Sequence, residues 1–284
     1  MQTIQHVLCP VDLSEPSAQA LRYAAAFSSV VNADLTVLYV RTAAAHQRDL
    51  RSASHASLAT FASNVIGVGP SLRMLERQGE PVVEILGTTV NSASDIIVMG
   101  THGRTGLERL LLGSVAERVI RRSPIPVLAV PFAMATAEGS IRSVLCAVDL
   151  SEPSSRAVDY GASIAAAAGA RLVLAHALEW SEETESLPGS GNSLLPSSED
   201  DAIARLSELL TPEMRERCAP ELVVGYGRPA DEVLRFVRER HVDLVVLGIR
   251  RRNPIGLVVF GSTTQQLIRD GACAVLTVRT LEPA

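Results

Sequence analysis

The chain has 284 residues, about twice a common domain length of roughly 150, so two domains are the first expectation. Hydrophobic residues make up 47% and charged residues 20%, which excludes a disordered segment, and a net charge of −5 argues against a broad basic face for nucleic acid or anionic lipid. All 26 basic residues are arginines, so an anionic ligand has to be gripped locally and without any ammonium side chain.

No basic leader followed by an apolar run opens the sequence, which leads us to expect a cytoplasmic protein. Ile4 to Val11 is a short apolar run that predicts a first strand. Ser14 can then cap a helix whose inward face takes Leu21, Ala24, Ala25 and Ser28. Leu35 to Val40 reads as a second strand, about Arg48 to Ile66 as a helix, and Leu72 to Glu76 as a third strand. A helix from Pro81 to Asn91 carries proline in its first turn. Asp95 to Met99 gives the fourth strand, Ser114 to Arg122 the last helix, and Pro126 to Val130 the fifth strand. Strands of nearly unbroken Val, Ile and Leu that alternate with helices belong to parallel sheets covered on both faces.

The pattern then repeats. Val7 to Ser17 recurs as Val144 to Ser154 with one difference in eleven positions. The offset is 137 at that point, but it is 148 from Gly79-Glu80-Pro81 to Gly227-Arg228-Pro229 and remains so to Gly113 and Gly261. The second copy therefore holds extra residues near its middle, and Ser181 to Asp201, rich in Ser, Glu, Pro and Gly, reads as their loop. The expected domains are residues 1–132 and 140–281, joined by the linker Pro131 to Ser140, each an α/β unit with a doubly wound parallel sheet and helices on both faces. Ala162 to Ala170 is too short to cross a bilayer before Arg171 interrupts it. The four cysteines have no metal or redox spacing, and Cys9 and Cys146 sit inside apolar runs as small hydrophobes do.

After the fourth strand the first copy reads Gly100-Thr101-His102-Gly103, nine residues, then Gly113-Ser114 at a helix start. Glycines let backbone approach a ligand closely, and free amides at a helix start favour an anion. Ser114 can cap that helix and donate to a phosphate. Such a seat needs no lysine, whereas a P-loop does. Asp12, at the end of the first strand, would accept from a ribose hydroxyl or a base amino group, or hold Mg²⁺; the plainer reading is a helix cap. The rival reading of the glycines is structural turns alone. His102 has no second ligand at metal spacing, so no metal site and no catalytic residue is assigned.

With this spacing the chain resembles the universal stress protein family, whose nucleotide-binding members carry G-x2-G-x9-G-[S/T] after strand four. The resemblance implies a five-stranded sheet of order 3-2-1-4-5 in each half, with ATP as ligand. It places base and ribose on Pro10, Val11, Asp12 and Val40, and phosphates on Gly100, Gly103, Arg104, Gly113, Ser114 and Val115. The corresponding residues of the second copy, Asp149, Ala177, Gly248, Arg251, Gly261 and Ser262, form a second candidate site in which Arg251 replaces a glycine. Arg251 either blocks that pocket or lends its charge to phosphates. Glu179, Glu182, Glu183 and Glu185 could close an acidic flap over Arg250 to Arg252. The implied role is an ATP-binding stress-response or regulatory protein acting through nucleotide-dependent shape or partner binding. Its rivals are a slow Mg-dependent ATPase and a nucleotide-independent dimeric scaffold built around contact between the two fifth strands, Pro126 to Val130 and Ala274 to Val278, the edges by which family members commonly pair. The expected partners are nucleotide and a regulatory protein, in an intramolecular pseudo-dimer or a homodimer, with neither nucleic acid nor membrane.

Overall fold

The side chains that water excludes decide the layers. The computed structural model describes residues 1–42, 57–67, 72–101, 112–132, 140–178, 198–249, 261–270 and 273–279. In the first half the elements are β1 (His6–Val11), α1 (Glu15–Val31), β2 (Asp34–Arg41), α2 (Leu58–Ile66) and β3 (Leu72–Gln78). They continue as α3 (Pro81–Asn91), β4 (Ile96–Gly100), α4 (Ser114–Arg122) and β5 (Val127–Val130). The second half has β6 (Ser143–Ala147), α5 (Glu152–Ala168), β7 (Arg171–Leu178), α6 (Glu199–Glu208) and α7 (Pro212–Cys218). It ends with β8 (Glu221–Tyr226), α8 (Pro229–Glu239), β9 (Leu244–Ile249), α9 (Ser262–Asp270) and β10 (Ala274–Arg279).

All ten strands join one sheet of order β3-β2-β1-β4-β5-β10-β9-β6-β7-β8. Each half thus has the expected 3-2-1-4-5 order with parallel neighbours, and the halves meet where β5 and β10 pair antiparallel, Leu128 beside Leu276. Thr277 Oγ1 adds a bond of 3.1 Å to the Val127 carbonyl across that seam. Pairing covers what would be two bare edges and leaves β3 and β8 outermost. β3 carries Arg73, Glu76 and Arg77 exposed along its length, charges of the kind that blunt an edge.

Two apolar layers flank the sheet. On one face α1, α2, α5, α6 and α7 bury Leu21, Phe27, Ala62, Ile164, Leu206 and Met214. On the other, α3, α4, α8 and α9 bury Val82, Ile85, Ile120, Leu234, Phe236 and Leu267. The central strands are covered on both sides, which is why they read as continuous apolar runs. Among the described residues no helix is long and apolar enough to cross a membrane.

Two local readings are corrected, and a third is met over part of its length. Of the helix expected from about Arg48 to Ile66, α2 is present from Leu58, where the Ser57 side chain accepts the Thr60 amide; Arg48 to Ala56 lie outside the described residues. Glu199 to Asp201, expected as loop, open α6: Ser198 accepts the Asp201 amide, and three acids in the first turn suit the helix dipole. Ser114 does not cap α4; Gly113 is the N-cap and Ser114 is the first helical residue.

Candidate functional site

Strand order reverses between β1 and β4, with β2 and β3 on one side and β5 on the other. A crevice at the carboxyl ends of such strands is where doubly wound sheets receive ligands. Pro10 and Val11 are buried at the end of β1, and Asp12 follows directly, half-buried. Val40 lies buried near the end of β2, paired in register with Arg77 of β3. Gly100 closes β4 beside Val130.

The loop after β4 is tied at both ends to this edge. Thr101 is buried, gives its amide to the Val130 carbonyl at 3.1 Å, and takes the Gly113 amide on its own carbonyl at 2.6 Å. Gly113, Ser114 and Val115 are thereby anchored beside the end of β4, with Ser114 exposed and Val115 half-buried. Thr101 was overlooked in the sequence, where it passed as a spacer between glycines. Gly103 and Arg104, the remaining expected phosphate residues, lie outside the described residues.

The start of α4 differs from the other described helices of its half. Ser14, Ser57 and Glu80 each place a side-chain oxygen on a first-turn amide of α1, α2 and α3. Gly113 has no side chain to do so, and α4 has no side-chain cap bond. Its first amides and the positive end of its dipole are what an anion would meet. This donor set suits phosphate oxygens and needs no lysine.

Asp12 is positioned by a strained turn. Leu13 takes a left-handed conformation (φ 63°), and Leu150 repeats it in the second half (φ 58°). A side chain beyond glycine pays about 1–3 kcal/mol for that conformation, so surrounding structure must hold it. The holding bonds are visible: Asp12 Oδ1 accepts the Ser14 amide at 3.1 Å and the Ser14 hydroxyl, and the Ser14 and Ser17 side chains complete a reciprocal cap on α1. Asp12 therefore does take part in opening α1, through an Asx turn, while standing at the crevice.

In the second half Asp149 is exposed, and its Oδ1 accepts from the Ser151 amide and from the Ser151 and Ser154 hydroxyls. The first-half counterpart of Ser154, Ser17, instead gives its hydroxyl to the Ser14 carbonyl at 2.9 Å. Ala177 is half-buried near the end of β7, Gly248 lies in β9, and Gly261 and Ser262 are exposed at the start of α9. A Cβ built on Gly261 would meet nothing within 4 Å. Arg251 and the flap residues Glu179, Glu182, Glu183 and Glu185, with Arg250 and Arg252, lie outside the described residues. His176, unnoticed in the sequence, is buried in β7 with Nδ1 2.7 Å from the Val148 carbonyl, next to this second edge. Among the described residues no three His, Cys, Asp or Glu side chains gather as a metal set.

Known proteins match this arrangement along the whole chain. A model of the universal stress protein family matches residues 3–131 and again 140–279. A universal stress protein of Synechocystis sp. is 23% identical over 315 aligned positions, covering 97% of this chain and all of its own. One from Thermus aquaticus is 30% identical over 139 residues, 49% of this chain and 98% of its own. The crystal structure of a universal stress protein from Archaeoglobus fulgidus superposes with a TM-score of 0.72 at 23% identity, covering 98% of this chain and 99% of the other, a likeness of fold.

Proposed function

We propose, from the premise that this chain belongs to the universal stress protein family as a tandem two-domain member, that it is a stress-response or regulatory protein whose first half binds ATP. The supporting observation is the meeting of Asp12, Gly100 and the uncapped start of α4 on one edge of the sheet at the point of strand reversal. In this reading Pro10, Val11, Asp12 and Val40 receive the base and ribose. The phosphates, with Mg²⁺ accompanying them, lie over Gly100, Gly103, Arg104, Gly113, Ser114 and Val115. Residues 1–132 and 140–281 are its two domains, working in the cytoplasm as an intramolecular pseudo-dimer. ATP occupancy changes the shape or the partner surface they present. The second site, with Asp149 held by two hydroxyls and Arg251 in place of a glycine, is the weaker or empty one.

Mass spectrometry of small molecules released from freshly purified protein tests the proposal. About one adenine nucleotide per chain is expected, and none should remain in Asp12→Ala or Gly113→Val variants that still fold. Two nucleotides per chain would overturn the reading of the second half. A second function is favoured by the β5–β10 seam, which holds the halves together without any ligand: a nucleotide-independent scaffold, the reading that survives if no nucleotide is found.

A further inference from the structure

The repeated segments Val7 to Ser17 and Val144 to Ser154 differ only at Pro10, which is Ala147 in the second half. That position lies in the strand that borders the crevice, and the pairing, in the same register in both halves, differs there in extent. In the second half β6 pairs with β9 at four successive positions, from Val144 with Leu244 to Ala147 with Leu247. In the first half β1 pairs with β4 only at Val7 with Ile96 and Leu8 with Ile97.

The direction of the amides explains the difference. In a strand, alternate residues turn their backbone groups to opposite neighbours. Asp34 donates to the Gln5 carbonyl, so odd residues of β1 serve β2 and even ones, including position 10, serve β4. In the second half Arg171 donates to Arg142 and Val148 donates to Ala175, so even residues of β6 serve β7 and Ala147 serves β9. Ala147 can therefore lace its strand to β9, whereas Pro10 has no N–H to give β4. Both strands adjoining Pro10 end at the candidate site, at Asp12 and at Gly100.

We propose that Pro10 is a positioning residue: by withholding one hydrogen bond near the carboxyl end of the β1–β4 seam, it keeps the first crevice open to the base-and-ribose end of a nucleotide. Ala147 closes the matching seam of the second half. The two halves thus differ in access to the nucleoside as well as in the glycine loop. This inference rests on the reading of the first half as an ATP site and adds what selects one half over the other.

Two measurements on the full chain test it. Hydrogen exchange of the free protein reads the seam directly. Thr101 donates to Val130 and Ile97 to Pro126, so even residues of β4, Gly100 among them, turn their amides to β1. Proline still offers its carbonyl to the Gly100 amide, so the bond at issue is the one an N–H at position 10 would give β4. In Pro10→Ala the new amide at position 10 should be protected to within about tenfold of the Ala147 amide, a factor of the size one net hydrogen bond supports. Calorimetry with ATP and with inorganic tripolyphosphate reads the consequence. Pro10→Ala should weaken ATP by about fivefold to tenfold and leave tripolyphosphate binding as it was, because the altered end is not the phosphate end. Free exchange of the amide at position 10 in Pro10→Ala, ATP affinity unchanged by that substitution, or equal losses for both ligands would each overturn the role of Pro10 while leaving the site itself standing. Failure of the unaltered protein to bind ATP would overturn the site and this inference together.

Discussion

Burial has its sharpest chemical effect on the thiols. Cys9, Cys146, Cys218 and Cys273 are all buried and unpaired as disulfides. Burial pushes the Cys9 and Cys273 thiols up to about 12 and the Cys146 thiol higher still, with Cys218 adding to the last. In the unfolded chain a thiol loses its proton near 9, while in the fold it keeps it, so the stabilising difference is complete below pH 9 and is lost as pH rises toward 12. Each such thiol should cost about 1.4 kcal/mol of stability per pH unit in that window. Urea midpoints at pH 8 and pH 10 check this; Cys9→Ala should flatten the slope, and pH-independent midpoints would show the burial to be misjudged. Tyr23 gives the opposite kind of case. Its hydroxyl is buried and has no hydrogen-bond partner among the described residues, with Cys273 and Asp243 of the second half close enough to raise its pKa further after burial itself. Tyr23→Phe should therefore be neutral or stabilise by about 1 kcal/mol, measured as a rise in the denaturant midpoint. The sequence made Cys9 legible as buried, since it stands in an apolar strand; it could not show Tyr23 reaching toward another domain, because that contact depends on how the halves join.

Single helices separate structural glycines from dispensable ones. Gly87 lies inside α3 on the exposed face between Val83 and Val90, and a Cβ there would touch nothing within 4 Å. Gly87→Ala should raise stability by about 0.5–1 kcal/mol through helix propensity alone, visible in thermal unfolding. Gly161 in α5 is the contrast: a Cβ would stand 2.2 Å from Cys146 Sγ, so Gly161→Ala should destabilise, and Cys146→Ala should recover most of the loss in a double variant. Three of the first-half boundaries could be read closely because their chemistry is local: Ser14 before α1, Pro81 opening α3, and the apolar run ending in Val130. The opening of α6 was misplaced, because loop-forming Ser and Glu masked a capped acidic turn. At the site, the glycine spacing pointed to the edge where Gly100 and Gly113 come together, but the Thr101 stitch and the strained Leu13 are backbone features that side-chain patterns do not display.

For the whole molecule, the sheet is continuous only because β5 meets β10. A chain ending at Phe132 would bare Val127 to Val130, four buried apolar residues on an open strand, and should dimerise or aggregate where the full chain does not. Sedimentation of the two proteins at equal concentration checks this, and a well-behaved monomeric half would show that the seam is not needed to protect the edge. That the halves pair through their fifth strands was implied by the family resemblance and not by the residues, since Leu128 and Leu276 look like any core residues until a neighbour is assigned. The antiparallel sense of this seam has a further consequence. It turns one parallel set of strands head to tail against the other, so the rims that carry Asp12 and Asp149 face away from each other at opposite poles. A molecule seated at one pole is out of reach of the other, and any conversation between them has to travel through the shared sheet and not through the ligand.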